Sequence, residues 1–273
     1  MKILLVDNGS LEAAATLALR DLAQRLTERT GREVWPVSLL HADKVDAREL
    51  NGIAAEVVEP FLHRAASQGE MDFVVLPLFF GPSRAITDYL PGVAEKLRQH
   101  FPALQLRIAP VLFQPEEDRL VAILAGQVRE KLSPDFVRGE SVRVALVDHG
   151  SPVAAVTAVR NALARQLADI LGDSVAEVAA CSMERRPGPE YDFNEPLLEK
   201  LLSREGWNTG PVIVAQLFLM PGRHAGPGGD IAAICDRAEV SSPALRTVRT
   251  AVLGLHPGLV DLLADRILQL VAG

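Results

Sequence analysis

Short apolar runs alternate along this chain with segments in which apolar residues recur at helical spacing. Residues 3–6 form the first run and are followed by a helical pattern over 11–26; residues 144–147 are followed in the same way by a helical pattern over 156–170. Each pair is typical of a strand, a tight turn and a helix. We predict that Ser10 and Ser151 cap these two helices, with Pro152 at the first helical position of the second.

The two segments belong to an internal repeat. Residues 3–10 read ILLVDNGS and residues 144–151 read VALVDHGS. Three further strand-like runs correspond between the halves: 34–38 with 178–182, 73–80 with 212–219, and 106–113 with 247–255. Strands that alternate with helices predict the α/β class, with two tandem doubly wound parallel-sheet half-domains and a cleft between them. A helix-breaking segment before Gly139 suggests a domain boundary there, with domains at 1–139 and 140–273.

Composition narrows the class of protein. The 273 residues are 48% hydrophobic and 23% charged, which are globular values, and the net charge of −7 with a pI near 5.4 disfavours nucleic acid as a partner. No stretch has the length of a membrane span, and the first apolar run is too short for a signal peptide. Cys181 and Cys235 lie far apart without CxxC spacing. We therefore expect a cytoplasmic protein without a membrane partner, and a homo-oligomer is left open.

Titratable residues follow the predicted strands of the second half only. Because the carboxyl ends of parallel strands meet at one edge of a sheet, the residues after the strands should converge there. In the second half these residues are His149, Glu184, His224 and His256. In the first half the corresponding residues are Asn8, Leu40, approximately Ser83, and Gln114. The asymmetry predicts one working site, in the second half.

Imidazole and carboxylate groups suit cobalt, iron, nickel or zinc, and imidazole also accepts protons near neutral pH. Such a set fits a reaction in which a metal enters a ligand as protons leave it. Each residue also has a purely structural interpretation. His149 would then cap a turn, His224 would be an exposed loop residue, and Glu184 would belong to a solvated charge cluster. His256 is favoured as a loop residue that enters the last helix, and His41, His63 and His100 as surface residues.

Four motifs stand in order at the ends of predicted strands. They are DHGS at 148–151, SME at 182–184, LFLMPGRH at 217–224 with DI at 230–231, and LGLHP at 253–257. Together they resemble the class II chelatases of the CbiX type, which are the sirohydrochlorin cobalt or iron chelatases of cobalamin and siroheme synthesis. The resemblance covers essentially the whole chain as two tandem family-like domains.

The resemblance implies that His149 and His224 are the metal-binding and proton-accepting pair, with Glu184 as an acidic helper. It implies a lyase-type chelatase that inserts Co²⁺ or Fe²⁺ directly into sirohydrochlorin, without ATP. The chain also lacks a GxxxxGK[ST] loop. One feature departs from the pattern, because similar two-domain chelatases often carry the working histidines in the first half, where this chain has Asn8.

Sirohydrochlorin carries many carboxylates, and an acidic protein needs local positive charge to hold it. We predict that Arg185, Arg186 and Arg223 bind the tetrapyrrole together with Ser151, and that Arg84 could reach it from the first half. The sequence does not separate cobalt from iron. It also leaves open a non-catalytic metal or tetrapyrrole carrier on the same scaffold.

Overall fold

The computed structural model describes residues 1–272. The strands in this part of the chain are β1 (Lys2–Asp7), β2 (Val34–Ser38), β3 (Asp72–Pro77), β4 (Gln105–Ile108), β5 (Arg143–Asp148), β6 (Glu177–Ser182), β7 (Gly210–Gln216) and β8 (Leu245–Arg249). The α-helices are α1 (Ala13–Thr30), α2 (Val58–Ser67), α3 (Leu90–Arg98), α4 (Arg119–Lys131), α5 (Pro134–Val137), α6 (Ala154–Leu171), α7 (Leu198–Ser203), α8 (Asp230–Ser241) and α9 (Pro257–Ala272). Across the described residues, no helix combines the length and the apolar character that spanning a bilayer requires.

The strands form two four-stranded sheets in which every neighbouring pair is parallel. The first sheet has the order β2-β1-β3-β4 and the second has the order β6-β5-β7-β8. Parallel neighbours need crossover connections, and helices supply them here. The prediction of two tandem parallel α/β halves is confirmed.

The central strands account for the apolar runs of the sequence. All but the first residue of β1, β3 and β5 are buried, and so is every residue of β7. A strand covered by helices on both faces has no polar side, so its sequence is continuously apolar rather than alternating. The edge strands β4 and β8 are largely half-buried or exposed, which explains their arginines.

The chain forms two compact units, each of which contains a helix that belongs to the other sequence repeat. Unit 1 consists of Met1–Pro115 and the segment from Pro257 onward, and unit 2 consists of Glu116–His256. Helix α4 follows β4 in sequence but packs against α6 and β7 of unit 2, whereas α9 packs against α1 and β3 of unit 1. The ranges 1–139 and 140–273 describe the sequence repeat, and the compact units divide the chain elsewhere because the apolar faces of α4 and α9 are buried in these packings.

The first helix of each repeat begins later than predicted. Helices α1 and α6 start at Ala13 and Ala154, and the residue before each start makes no side-chain capping bond. Ser10 and Ser151 instead accept a hydrogen bond from the amide two residues further on, each at 3.1 Å. The predictions of serine caps and of Pro152 at the first helical position were therefore wrong.

The third and fourth strands of each half are shorter than predicted. Strand β8 ends at Arg249, whereas the apolar run continues to Leu255. Beyond the strand, Leu253 and Gly254 donate backbone hydrogen bonds, both of 2.8 Å, to the loop that follows β7. This segment therefore pairs with a loop in a 3₁₀ turn. Val252 and Leu253 are buried without forming a regular ladder, whereas Leu255 is exposed.

Candidate functional site

A tight turn after β5 presents His149. Gly150 has a φ of 96°, and a Cβ atom built there would lie 1.9 Å from the Glu184 backbone oxygen. Only glycine allows this approach. The amide of Glu184 donates to the His149 carbonyl at 3.1 Å, and the amide of Met183 donates to the Asp148 carbonyl at 2.7 Å. The turn after β5 and the loop after β6 are therefore joined through their backbones, which brings His149 Nε2 to 3.5 Å from Glu184 Oε1.

The loop between β7 and α8 presents His224. Its Nδ1 atom lies 2.6 Å from Oδ2 of Asp230, the first residue of α8. The amides of Asp230 and Ile231 donate to the carbonyls of Arg223 and His224, at 3.2 and 3.1 Å, so the loop is anchored to the first turn of the helix. Gly229 permits this anchoring, because a Cβ atom built there would lie 2.5 Å from the Arg223 carbonyl oxygen.

The two histidines are neighbours. Their ring centroids are 4.8 Å apart and the rings are inclined at 70°, although the residues are separated by 75 positions in sequence. Both side chains are partly open to solvent, with exposed fractions of 48% for His149 and 32% for His224. The structure thus brings together the two imidazoles that the strand-end argument placed at one edge, with Glu184 beside the first.

Hydrogen bonding assigns the same tautomer to both rings. The Nδ1 atom of His149 lies 3.1 Å from the Gly150 carbonyl oxygen, and that of His224 lies against the Asp230 carboxylate. A carbonyl and a carboxylate only accept, so in the neutral form of each ring the proton is on Nδ1. Nε2 of His149 faces Glu184 Oε1 at 3.5 Å. In the neutral form of both rings, two Nε2 lone pairs are available to a metal ion or a proton.

The donor set is small. Among the residues described by the structure, no group of three or more His, Cys, Asp or Glu side chains is arranged to hold a metal ion. Structural metal sites usually enclose the ion with four protein ligands, whereas a site with open positions leaves room for a further ligand. Two imidazoles with one adjacent carboxylate would leave open positions around a bound metal ion.

The predicted tetrapyrrole-binding residues differ in their surroundings. Arg185 donates to Glu195 Oε1 at 2.8 Å and to the Gly188 carbonyl at 3.0 Å, and it also contacts Asp192 at 3.2 Å. Its guanidinium is therefore largely satisfied within its own loop. Arg186 is exposed.

Arg223 and Ser151 lie close to the histidine pair. Arg223 is exposed, with Nε 3.7 Å from Asp230 Oδ2. Ser151 accepts a bond from the Val153 amide, and its backbone is held by Asn194, whose side chain accepts from the Ser151 amide and donates to its carbonyl, both at 2.9 Å. The Ser151 hydroxyl still has its own proton to donate. His256 follows a 3₁₀ turn and directly precedes α9, and Arg84 precedes a π-helical turn in unit 1.

Sequence reasoning assigned no role to Asp230 or Asn194. Asp230 fixes the tautomer of His224, and the sequence signal for it is a carboxylate at the start of a helix six residues after a histidine. Asn194 fixes the turn that follows His149 from a loop 43 positions away. No local pattern indicates that contact.

The corresponding turn of unit 1 keeps the backbone conformation but not the imidazole and carboxylate side chains. Gly9 has a φ of 83°, and a Cβ atom built there would lie 1.8 Å from the Leu40 backbone oxygen. This matches the close approach of Gly150 to the Glu184 backbone oxygen in unit 2. Asn8 stands at the position of His149, and Leu40 stands at the position of Glu184. The exposed fraction of Leu40 is 43%. The glycine turn is therefore a requirement of the fold, and the imidazole and carboxylate are additions to it.

The buried aspartates before these turns have different environments. Burial raises the pKa of Asp148, and the guanidinium of Arg160 together with the Ser182 hydroxyl opposes that rise. Burial raises the pKa of Asp7 to about 6, opposed only by hydrogen bonds from Ser38 and Gly9. Unit 1 therefore contains a carboxylate that is costly to ionise.

Replacing Asp7 with asparagine is expected to stabilise the protein at neutral pH. The folded-state pKa of about 6 lies above the ordinary aspartate pKa of 3.8, so ionisation opposes folding as pH rises between these values, and the penalty is complete above the folded pKa. The gain should be at most about 3 kcal/mol near pH 7.5 and well under half of that near pH 4. Urea unfolding of Asp7→Asn and wild type at both pH values measures it, with the exposed Asp43→Asn as the charge-matched control. An equal difference at both pH values would contradict the prediction.

Two tandem parallel α/β units, with a pair of imidazoles at the carboxyl edge of one sheet, define a protein of the two-unit chelatase class. The CbiX family model matches residues 2–131 and 143–270, so this chain belongs to the CbiX family. The two matches correspond to the two sequence repeats.

Solved structures share the fold over nearly the whole chain. SirB from Bacillus subtilis with Fe³⁺ aligns with a TM-score of 0.70 at 16% identity, over 98% of this chain and 95% of that one. The sirohydrochlorin chelatase SirB from Bacillus subtilis subspecies spizizenii in complex with cobalt aligns with a TM-score of 0.67 at 15% identity, with the same coverage. CbiX, the terminal enzyme for biosynthesis of siroheme in denitrifying bacteria, aligns with a TM-score of 0.59 at 14% identity, over 98% of this chain and 99% of that one. No curated protein matches this chain.

Proposed function

We propose that this protein inserts a divalent metal ion, Co²⁺ or Fe²⁺, into a tetrapyrrole, and that sirohydrochlorin is its substrate. The observation that carries the proposal is the pair of imidazole rings with centroids 4.8 Å apart, each with an oxygen acceptor at Nδ1. Membership of the CbiX family supports the same conclusion, as does the fold shared with SirB with Fe³⁺ and with the sirohydrochlorin chelatase SirB in complex with cobalt.

The chemistry requires a metal donor and a proton acceptor at one place. Insertion breaks two pyrrole N–H bonds, forms four metal–nitrogen bonds and releases two protons, with no change in oxidation state. Neutral imidazole can hold a divalent ion weakly and then accept a proton as the ion leaves. In this proposal His149 and His224 present the ion through Nε2, and Glu184 adds a carboxylate beside His149.

Asp230 supports proton uptake by His224. A carboxylate hydrogen-bonded to Nδ1 orients the ring and stabilises the imidazolium that forms when Nε2 is protonated. The Nδ1–Oδ2 distance of 2.6 Å is that of a strong hydrogen bond. Asp230 therefore holds the His224 ring in a fixed orientation.

The substrate carboxylates need donors that are not already satisfied. Arg186 and Arg223 are exposed, and Ser151 has a free hydroxyl proton, so these three are the proposed contacts. Arg185 would act mainly on its own loop, through Asp192 and Glu195. No nucleotide takes part in the proposed reaction, because coordination by four pyrrole nitrogens itself favours insertion. The same ligand set accepts cobalt and iron, so the choice of metal is open to experiment.

The test is a metallation assay under anaerobic conditions. Purified protein is mixed with sirohydrochlorin and Co²⁺, Fe²⁺ or Ni²⁺, and the visible spectrum is followed against a control without protein. We expect faster metallation than in the control for cobalt, iron or both. Metal binding with an unchanged metallation rate would favour the carrier function instead, and would contradict the chelatase proposal.

A further inference from the structure

The loop that carries His224 is tied to the sheet by one arginine. Arg249, the last residue of β8, donates from Nη1 to the Gly226 carbonyl at 3.1 Å and from Nη2 to the Pro227 carbonyl at 3.0 Å. These carbonyls lie two and three residues after His224. A planar guanidinium that bonds two successive carbonyls restricts both the position and the orientation of the loop.

The turn that carries His149 is tied by a second arginine. Arg160 in α6 has 1% of its surface exposed, and its Nη1 atom reaches the Ser182 hydroxyl, the Asp148 carboxylate at 3.5 Å and the Asn194 carbonyl at 3.1 Å. The Ser182 hydroxyl also donates to Asp148 Oδ1 at 2.6 Å. The guanidinium thus joins the end of β5, the end of β6 and the loop that holds Ser151.

The other repeat has neither arginine. Arg160 is the seventh residue of its 18-residue helix, and Leu19 is the seventh residue of the 18-residue helix in unit 1. Arg249 pairs in register with β7, and Ile108 occupies the same register position against β3. Unit 1 forms the same sheet with apolar residues at both positions, so the fold itself does not require the arginines.

A buried arginine carries a desolvation penalty that leucine avoids, so its presence calls for a compensating benefit. The two arginines occur in the repeat that has the histidines and are absent from the repeat that lacks them. Their contacts go to the two loops that present the imidazoles. The benefit therefore concerns the geometry of the histidine pair.

We propose that Arg160 and Arg249 are positioning residues, one for each histidine loop, that keep the two imidazoles within reach of a single metal ion. Neither arginine touches the metal or the tetrapyrrole in this proposal. The proposal rests on the proposed metal-insertion function for its catalytic consequence, but the binding of Co²⁺ alone tests it separately.

The decisive variant is Arg249→Ile, which introduces the residue of unit 1 at a half-buried position. We expect Co²⁺ affinity, measured by calorimetric titration without tetrapyrrole, to fall about 10- to 100-fold, as for other residues that orient metal ligands. The kcat for metallation should fall by a similar factor, while the KM for sirohydrochlorin stays within about twofold because Arg249 makes no substrate contact. Arg249→Lys should restore part of the affinity through one of the two carbonyl bonds.

Arg246→Ile is the matched control. Arg246 lies on the same strand and is also half-buried, but it donates to Glu140 at 2.7 Å at the other end of β8. Its loss should leave Co²⁺ affinity and kcat unchanged. Arg160→Leu should also lower Co²⁺ affinity. Because it leaves Asp148 without its cation, circular dichroism must first show that the variant folds, and Arg249→Ile tests the proposal if it does not.

A folded Arg249→Ile variant with wild-type Co²⁺ affinity and kcat would overturn the proposal. An equal loss in the Arg246→Ile control would overturn it as well, because the effect would then be a general loss of stability. If wild-type protein binds Co²⁺ but does not metallate sirohydrochlorin, the proposed function fails, and the titrations of Arg249→Ile and its control still decide the positioning role.

Discussion

Alanine at His149 or at His224 is expected to lower the rate of metallation at least about 100-fold, because in the proposed function each change removes both a metal ligand and a proton acceptor. Neither side chain lies in the core, so the unfolding temperature should change by no more than about 2 °C. Stopped-flow absorbance with sirohydrochlorin and Co²⁺ measures the rate, and calorimetry measures the unfolding temperature. Co²⁺ affinity should fall in both variants.

Asn8→Ala is the matched control for the histidine changes. Asn8 occupies the same position in the same glycine turn of unit 1, so this variant reproduces the local structural effect without removing an imidazole. We expect its rate to equal that of wild type. Turnover retained by both histidine variants would reject the site, and a loss in Asn8→Ala as large as theirs would mean that unit 1 shares the chemistry.

Replacing Gly150 with alanine is the second change for which we expect a large effect. Alanine at a φ of 96° is strained, and its Cβ would lie 1.9 Å from the Glu184 carbonyl oxygen, so the backbone bonds between His149 and Glu184 must break or shift. We expect a loss of about 2–4 kcal/mol in the free energy of unfolding. Co²⁺ affinity of the folded fraction should fall at least about 10-fold, because the turn orients a ligand.

Gly9→Ala separates the loss of stability from the loss of the site. The same contact exists in unit 1, with a φ of 83° and a distance of 1.8 Å to the Leu40 carbonyl oxygen. Urea unfolding should show a comparable destabilisation in both variants, whereas Co²⁺ titration should show a loss only in Gly150→Ala. Equal losses of Co²⁺ affinity would show that the turn around His149 has no special role in metal binding.

The sequence alone was enough to predict the architecture and the location of the candidate site. Apolar runs separated by helical patterns indicated parallel strands, because strands buried on both faces are nearly continuous in apolar residues. The comparison of two repeats then showed that Asn8 and Leu40 stand where His149 and Glu184 stand. The rule that post-strand residues meet at one edge was sufficient to place His149 near His224, since that convergence follows from strand direction and not from side-chain packing.

The contacts that hold the site together were decided by the tertiary structure. Asn194 reaches Ser151, and Arg160 reaches Ser182, across 43 and 22 positions of the chain, and Arg185 turned out to be matched by acidic residues of its own loop. The packing of α4 in unit 2 and of α9 in unit 1 also depends on contacts between residues far apart in sequence. A local pattern specifies which face of a helix is apolar, but it contains no information about which distant surface will cover that face or which distant acceptor a guanidinium will meet. Those choices depend on the packing of the whole chain, so they became visible only in the folded molecule.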